Sequence, residues 1–305
     1  MARPRARRWP PKRRTGASDE LTTLAGDASD PRREQRLVFG EVAETYDRAR
    51  PGYPPRLVED VLSIASLGPD DRVLKVGCGT GKASVLFASR GLEMLCLEPS
   101  EPMASVARRS CARFPRVSIE TSSFEAWPVE TGTFGLLISA QAWHWVDPDV
   151  RLAKAHQSLA PGGVLALFWH TVEWRDEELR TTIDDLYERV APDLIATRPG
   201  YPGTRSEPIF GAQELADSPL FRSVTTREYP WSRRYPTNAY LELLTTQSGH
   251  RMLPPDVLAR LGDGLTQIID QAGGELRVDY VTRLFLAPRA GSSPATEAGS
   301  RTGRR

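Results

Sequence analysis

The chain has 305 residues, of which 26% are charged, and a formal net charge of +1. That length can bury a full hydrophobic core, and the near-neutral balance gives no global pull toward nucleic acid or an anionic surface. The three cysteines and four histidines show no C-x-x-C pair and no metal-ligand spacing, which excludes a disulfide framework and points to no metal site.

Residues 1–31 read as a disordered basic tail, in which Arg3, Arg5, Arg7, Arg8, Lys12, Arg13 and Arg14 precede any acid. No apolar run of signal-peptide type follows these arginines, and no stretch is long and apolar enough to cross a bilayer. The expectation is a soluble, cytoplasmic protein. Residues 32–289 form the ordered unit, and 290–305, rich in Gly, Ser, Pro and Arg, form a second disordered tail.

Within the ordered unit, Leu37, Phe39, Val42, Ala43 and Tyr46 give an amphipathic helix over 36–48, halted by Arg50-Pro51-Gly52-Tyr53-Pro54-Pro55. Leu57, Val58, Val61, Leu62 and Ile64 give a second helix. From Asp71 strands alternate with helices: strands over 72–76, 93–97, 117–120, 134–139 and 164–169, helices after the first two, and another over 149–159 stopped by Ala160-Pro161-Gly162-Gly163. A helix over 176–190 and a Pro/Gly/Arg-rich loop over 191–210 follow. Two β-rich runs, 221–234 and 275–288, are expected to pair antiparallel at the sheet edge, with helices over 238–246 and 255–272. The pattern specifies an α/β, doubly wound, mostly parallel Rossmann-like sheet with an antiparallel edge and a helical cap.

The most informative segment runs Val73-Leu74-Lys75-Val76-Gly77-Cys78-Gly79-Thr80-Gly81-Lys82, followed by Leu97-Glu98-Pro99-Ser100. Glycines let the backbone turn sharply and approach a ligand closely. Glu98 lies about twenty residues beyond the first of them, where such a fold places an acceptor for ribose hydroxyls. An adenosine-containing cofactor follows. A dinucleotide fingerprint would need a third glycine at Lys82; the spacing is G-x-G-x-G instead.

This spacing resembles motif I of the class I S-adenosylmethionine-dependent methyltransferases, and Leu97-Glu98-Pro99-Ser100 resembles their second motif. Phe39-x-x-Val42-Ala43-x-x-Tyr46-Asp47-x-x-x-Arg50-Pro51-x-Tyr53-Pro54, the segment Ser139–Trp145 and Ala160-Pro161-Gly162-Gly163 resemble the subfamily that includes trans-aconitate methyltransferase. The resemblance implies that Gly77, Gly79 and Gly81 pass beneath the methionine portion of S-adenosylmethionine. It implies further that Glu98, followed by Pro99, meets the ribose, that Ser123 and Phe124 hold adenine, and that Ala140 and Gln141 face the sulfonium. Tyr46 and Arg50 would close over the cofactor, with Arg50 a candidate partner for its carboxylate. His144 is placed at the mouth of the site, either as a general base or as an orienting residue between Trp143 and Trp145.

Two positions depart from the family pattern: Lys75 and Gly135 stand where relatives usually carry an acid. A cation at Lys75 is expected to repel the cofactor's sulfonium and ammonium groups, with its carboxylate as the one group it could attract. The leading reading is an enzyme that methylates a small-molecule acceptor at O, N or carboxylate. A catalytically weak or inactive S-adenosylmethionine-binding protein of the same fold, and an NAD(P)-dependent oxidoreductase, are the alternatives. The ordered unit lacks a basic stripe, which disfavours a nucleic-acid substrate, and the oligomeric state is not legible in these residues.

Overall fold

Unbroken apolar runs become strands buried on both faces, and here they build one seven-stranded sheet in the order β3-β2-β1-β4-β5-β7-β6. The computed structural model describes residues 42–68, 70–195 and 212–291. The strands are β1 (Arg72–Val76), β2 (Glu93–Glu98), β3 (Val117–Thr121), β4 (Phe134–Ala140), β5 (Leu159–Glu173), β6 (Thr225–Pro236) and β7 (Glu275–Pro288). The first five are mutually parallel, whereas β7 runs antiparallel between β5 and β6.

Alternation along the strands feeds two helical layers. Val73 joins Met94, Cys96, Leu136 and Ile138 on one face, and Leu74 and Val76 join Leu95, Leu97 and Leu137 on the other. The layers contain α1 (Ala43–Ala49), α2 (Pro55–Ala65), α3 (Lys82–Ala88), α4 (Glu101–Cys111) and α5 (Pro148–Ser158). Beyond the sheet's upper rim stand α6 (Glu177–Val190), α7 (Pro192–Ile195), α9 (Thr237–Thr245), α10 (Ser248–Arg251) and α11 (Pro255–Gln271), whereas Leu215 of α8 (Ala212–Asp217) joins the core on one face of the sheet. Ile183, Leu186 and Tyr187 of α6 pack on Leu261, Leu265 and Ile269 of α11, and Leu243 and Leu244 of α9 complete this separate cap core with Tyr235 and Tyr280.

The expected mixed sheet, antiparallel edge and helical cap are all present. One strand is longer than its apolar run. Strand β5 continues past the expected end at 169 because β7 pairs with it from Val164↔Pro288 to Glu173↔Asp279, so ladder hydrogen bonds hold residues that periodicity alone would release. The turn at Ala160–Gly163 survives as an irregularity, with Gly162 at φ 80 and a register shift opposite Phe134 and Leu136. The helices α7, α8 and α10, of four, six and four residues, were not anticipated; they are too short to show a period. The start of the helix expected over 36–48, most of the expected 191–210 loop and nearly all of both expected tails lie outside the described residues.

Gly135 has a structural reason. A Cβ there would lie 2.9 Å from Asp71 Cγ and 3.0 Å from Leu67 Cδ2. Asp71 itself accepts a hydrogen bond from the Gly68 backbone N–H at 2.7 Å, so its carboxylate occupies the space beside β4. Restoring the acid of the family pattern by Gly135→Asp is therefore expected to destabilise the protein by about 1–3 kcal/mol through overpacking, with like-charge repulsion from Asp71 added. The denaturant midpoint of the variant checks this, and a variant as stable as the parent would remove the explanation.

Candidate active site

Strand order reverses between β1 and β4, so the loops leaving their carboxyl ends part and open a cleft. The cavity measures about 1140 Å³ and runs from the glycine loop to the cap helices. Single ligand pockets reach about 1,000 Å³. There is room for a cofactor and a second, smaller molecule.

The three loop glycines do different things. Gly77, at φ 60, would carry a Cβ 2.5 Å from Ala142 Cβ, so it permits the loop after β4 to touch the loop after β1. Gly81, at φ 92, caps α3, and a Cβ there would lie 3.4 Å from Ala107 Cα on α4, so its absence lets the two helices pack closely. Gly79, at φ 57, would meet only Met103 Cε at 3.8 Å, which leaves its upper side open.

Two buried side chains of opposite charge set the loop's shape. Glu98, 7% exposed at the end of β2, accepts from the backbone N–H of Gly79 at 2.8 Å and of Ser100 at 3.1 Å. Lys75, 1% exposed, donates from Nζ to Val76 O at 2.9 Å and Gly77 O at 2.8 Å. Burial lowers the Lys75 pKa, while the neighbouring Cys78, Cys96 and Glu98 work against that shift. Lys75 therefore braces the loop from within, a role that the expected repulsion or attraction of cofactor groups did not include.

Pro99, Ser123, Phe124, Ala140 and Gln141 all line the same cleft. Ser123 Oγ accepts from Ala126 N at 3.2 Å, and Phe124 packs its ring against Trp127 and Trp143. Gln141 holds a left-handed φ of 55, costing a residue with a side chain about 1–3 kcal/mol, and its N–H donates to Phe168 O at 3.0 Å. His144 lies in the short 3-10 turn Trp143–Trp145 with its ring 4.6 Å from that of Trp145. Burial, and then the charge of Arg151, push its pKa down to about 4. It is neutral at pH 7 and a weak base. Trp143 is fully buried core, whereas Trp145 faces the cleft.

The N-terminal segment closes the cleft from the side. Tyr46 packs with Ala43 against Met103 and Val106 of α4, and Asp47 pairs with Lys82 of α3 at 3.8 Å. Arg50 stands 5.0 Å from the Tyr46 ring and donates from Nε to Thr246 Oγ1 and from Nη2 to Thr246 O, both at 2.8 Å. Two of its five donors are thus committed to the end of α9. Arg50 fastens the N-terminal segment to the cap, a contact the residue pattern did not disclose.

His170 has a related duty. Its Nε2–H donates to Gly52 O at 3.0 Å, so its Nδ1 is the acceptor for the Thr282 hydroxyl at 2.9 Å, and Thr282 in turn accepts from Trp231 Nε1 at 2.8 Å. Tyr53 stacks on the ring at 4.5 Å. Burial lowers the His170 pKa to about 4, Arg50 adds to the shift, and the Gly52 carbonyl opposes it. His250 is buried in the cap with Nε2 2.7 Å from the Tyr187 hydroxyl. The cap wall further includes the Arg180–Asp184 pair at 3.3 Å, Tyr280 and Arg283.

A methyltransferase domain family matches residues 73–163, from β1 to the turn before the core of β5. An uncharacterised methyltransferase of Schizosaccharomyces pombe is 30% identical over 235 residues, covering 73% of this chain and 84% of its own. The chain belongs to the class I S-adenosylmethionine-dependent methyltransferases. An uncharacterised methyltransferase of Mycobacterium tuberculosis is 29% identical over 238 residues, 78% of this chain and 88% of its own. The solved structure of a proposed type II methyltransferase from Anaeromyxobacter dehalogenans shares the fold at 24% identity and a TM-score of 0.52, over 78% of this chain and 97% of that one.

S-adenosylmethionine is the cofactor of this methyltransferase. The cleft residues fit it: Gly79 leaves room above the loop, Glu98 places a buried carboxylate at the end of β2, and among the described residues the buried Thr80 hydroxyl has no hydrogen-bond partner. The family assignment sets the oxidoreductase alternative aside.

The two histidines couple stability to pH. Both are held near 4, against about 6.5 in an unfolded chain. Between those values the unfolded chain binds more protons, so stability falls as pH drops from about 6.5 toward 4 and the contribution is complete above that window. His170→Gln, which cannot titrate, is expected to flatten the slope by up to about 1.4 kcal/mol per pH unit. Denaturant melts at pH 5 and 7.5 measure it, and an unchanged slope would show that His170 is not held neutral.

Proposed function

We propose that this methyltransferase transfers a methyl group to a small-molecule O, N or carboxylate acceptor seated in the cap half of the cleft. The observation that carries the reading is one continuous cavity of about 1140 Å³, walled by the glycine loop on one side and by α6, α9, α10 and β7 on the other. A walled cavity suits a compact acceptor better than a nucleic acid or a protein surface. The resemblance to the trans-aconitate methyltransferase subfamily and a cytoplasmic location belong to the same proposal. A malonyl-[acyl-carrier protein] O-methyltransferase from Geobacter sulfurreducens is 30% identical over 140 residues, but this covers 44% of this chain and 52% of its own, so its acceptor is not carried over.

In this reading Glu98 accepts from the ribose hydroxyls beside Pro99, and Ser123 and Phe124 flank the adenine. Gly77, Gly79 and Gly81 underlie the methionine portion, with Tyr46 and Arg50 closing the side and Ala140 and Gln141 bordering the transfer point. The cofactor supplies a methyl group on a sulfonium, with a neutral thioether as leaving group. The protein's part is to hold the acceptor in line and to exclude water. His144, a weak base, orients the acceptor rather than removing a strongly held proton. Within the proposed set this favours an acceptor already nucleophilic at neutral pH, such as a carboxylate.

Glu98→Ala is expected to weaken binding of S-adenosylhomocysteine by about ten- to 150-fold, the range for losing a charge-assisted hydrogen bond. Calorimetry on the folded variant checks it, and an unchanged dissociation constant would remove the ribose role. A turnover screen over hydroxyl, amine and carboxylate acceptors, read by formation of S-adenosylhomocysteine, tests the acceptor class. Turnover confined to macromolecular acceptors would overturn the small-molecule reading.

A further inference from the structure

Lys75 is a buried ammonium under a ligand loop, and its hydrogen bonding is incomplete. An ammonium group has three donors. Two go to Val76 O and Gly77 O, and among the described residues the third has no partner. The side chain is 1% exposed yet lines the cleft. In the same loop Thr80, also 1% exposed and lining the cleft, has a hydroxyl with no hydrogen-bond partner among the described residues. Unfilled donors at such depth cost about 1–3 kcal/mol each, and the two belong to the segment that carries Gly77 and Gly79. Among the described residues no carboxylate forms an ion pair with Lys75, although Glu98 lies near enough to support its charge.

We infer that Lys75 and Thr80 form a subsite for the carboxylate of the cofactor's methionine portion, and that this enzyme reads that end of the cofactor chiefly through its negative group. The chemistry of the loop selects the sign. Lys75 already occupies the Gly77 carbonyl, so that acceptor is largely spent before an incoming ammonium could use it. A second cation would face Lys75 with little solvent between, whereas a carboxylate fills both open donors and gains a charge-assisted bond. The departure from an acid at this position then changes which group of the cofactor is recognised and leaves the fold of the loop intact. Arg50, with Nε and Nη2 tied to Thr246, acts here as the closing clasp, and the carboxylate is assigned to the loop floor.

The inference rests on S-adenosylmethionine as cofactor, and the experiment separates the two. Calorimetry on the full chain compares S-adenosylhomocysteine with its analogue lacking the carboxylate and its analogue lacking the amine. Loss of the carboxylate is expected to weaken binding about ten- to 150-fold, and loss of the amine by less than about threefold. Lys75→Met keeps the length of the side chain while removing the donor, and is expected to bring the carboxylate-free analogue to within about threefold of the parent ligand. Thr80→Val, which leaves the brace on Val76 O and Gly77 O in place, is expected to shift the same ratio partway. The wild-type comparison needs no variant to fold: if the analogue lacking the amine loses as much affinity as the one lacking the carboxylate, or more, the inference is overturned. A carboxylate preference unchanged in both Lys75→Met and Thr80→Val would also overturn it. Failure of wild type to bind S-adenosylhomocysteine itself would reject the cofactor assignment and the inference together.

Discussion

The geometry of the site depends on one constraint: a five-residue turn rich in glycine must hold a fixed shape between strand β1 and helix α3. Glycine supplies the conformations and nothing to keep them. Here the holding is done by charges buried on either side of the turn. Glu98, from the neighbouring strand, takes the Gly79 N–H, and Lys75, from the strand that feeds the turn, takes the carbonyls of Val76 and Gly77. A carboxylate can only accept and an ammonium only donate, so the two divide the backbone's polar groups between them. Each is almost fully buried, where hydrogen bonds to charged groups are strong and their loss expensive.

Around this loop the rest of the molecule acts as an enclosure. The sheet provides a flat core, but a flat sheet leaves its carboxyl edge in water. Extension of β5 and β7 beyond the parallel core raises a wall, and the cap helices pack a second core against it. The N-terminal segment then spans the gap, fixed at one end by Arg50 on Thr246 and at the other by the Gly52 carbonyl on His170. Elements distant in sequence are thereby joined at the rim of a single cavity. A walled cleft of this kind suits displacement at a sulfonium, where alignment and exclusion of water do most of the work.

That enclosure also sets the electrostatics. His144 and His170 are both kept neutral, chiefly by burial and in part by nearby arginines. For His170 the neutral form is required by its bonds, since Nδ1 must remain an acceptor for Thr282 while Nε2–H serves Gly52. For His144 the same burial makes a poor base, which accords with an acceptor that needs little deprotonation.

Much of this was written in the sequence. The strand–glycine–helix–strand run from Val73 to Ser100, the spacing of Glu98 and the alternation of apolar segments determine the fold, the cofactor and the order of the parallel strands' contributions, because each is a local pattern with one stable packing. The antiparallel edge was legible for the same reason. Other features were decided only by the tertiary structure. The direction of the Lys75 amine, the replacement of an acid at Gly135 by Asp71 from another segment, the clasp of Arg50 on Thr246 and the pinning role of His170 all join residues far apart in the chain, or turn on which way a side chain points. Periodicity reports which face a residue occupies. It carries no record of what arrives opposite that face, and hydrogen bonds and buried charges are settled by that arrival.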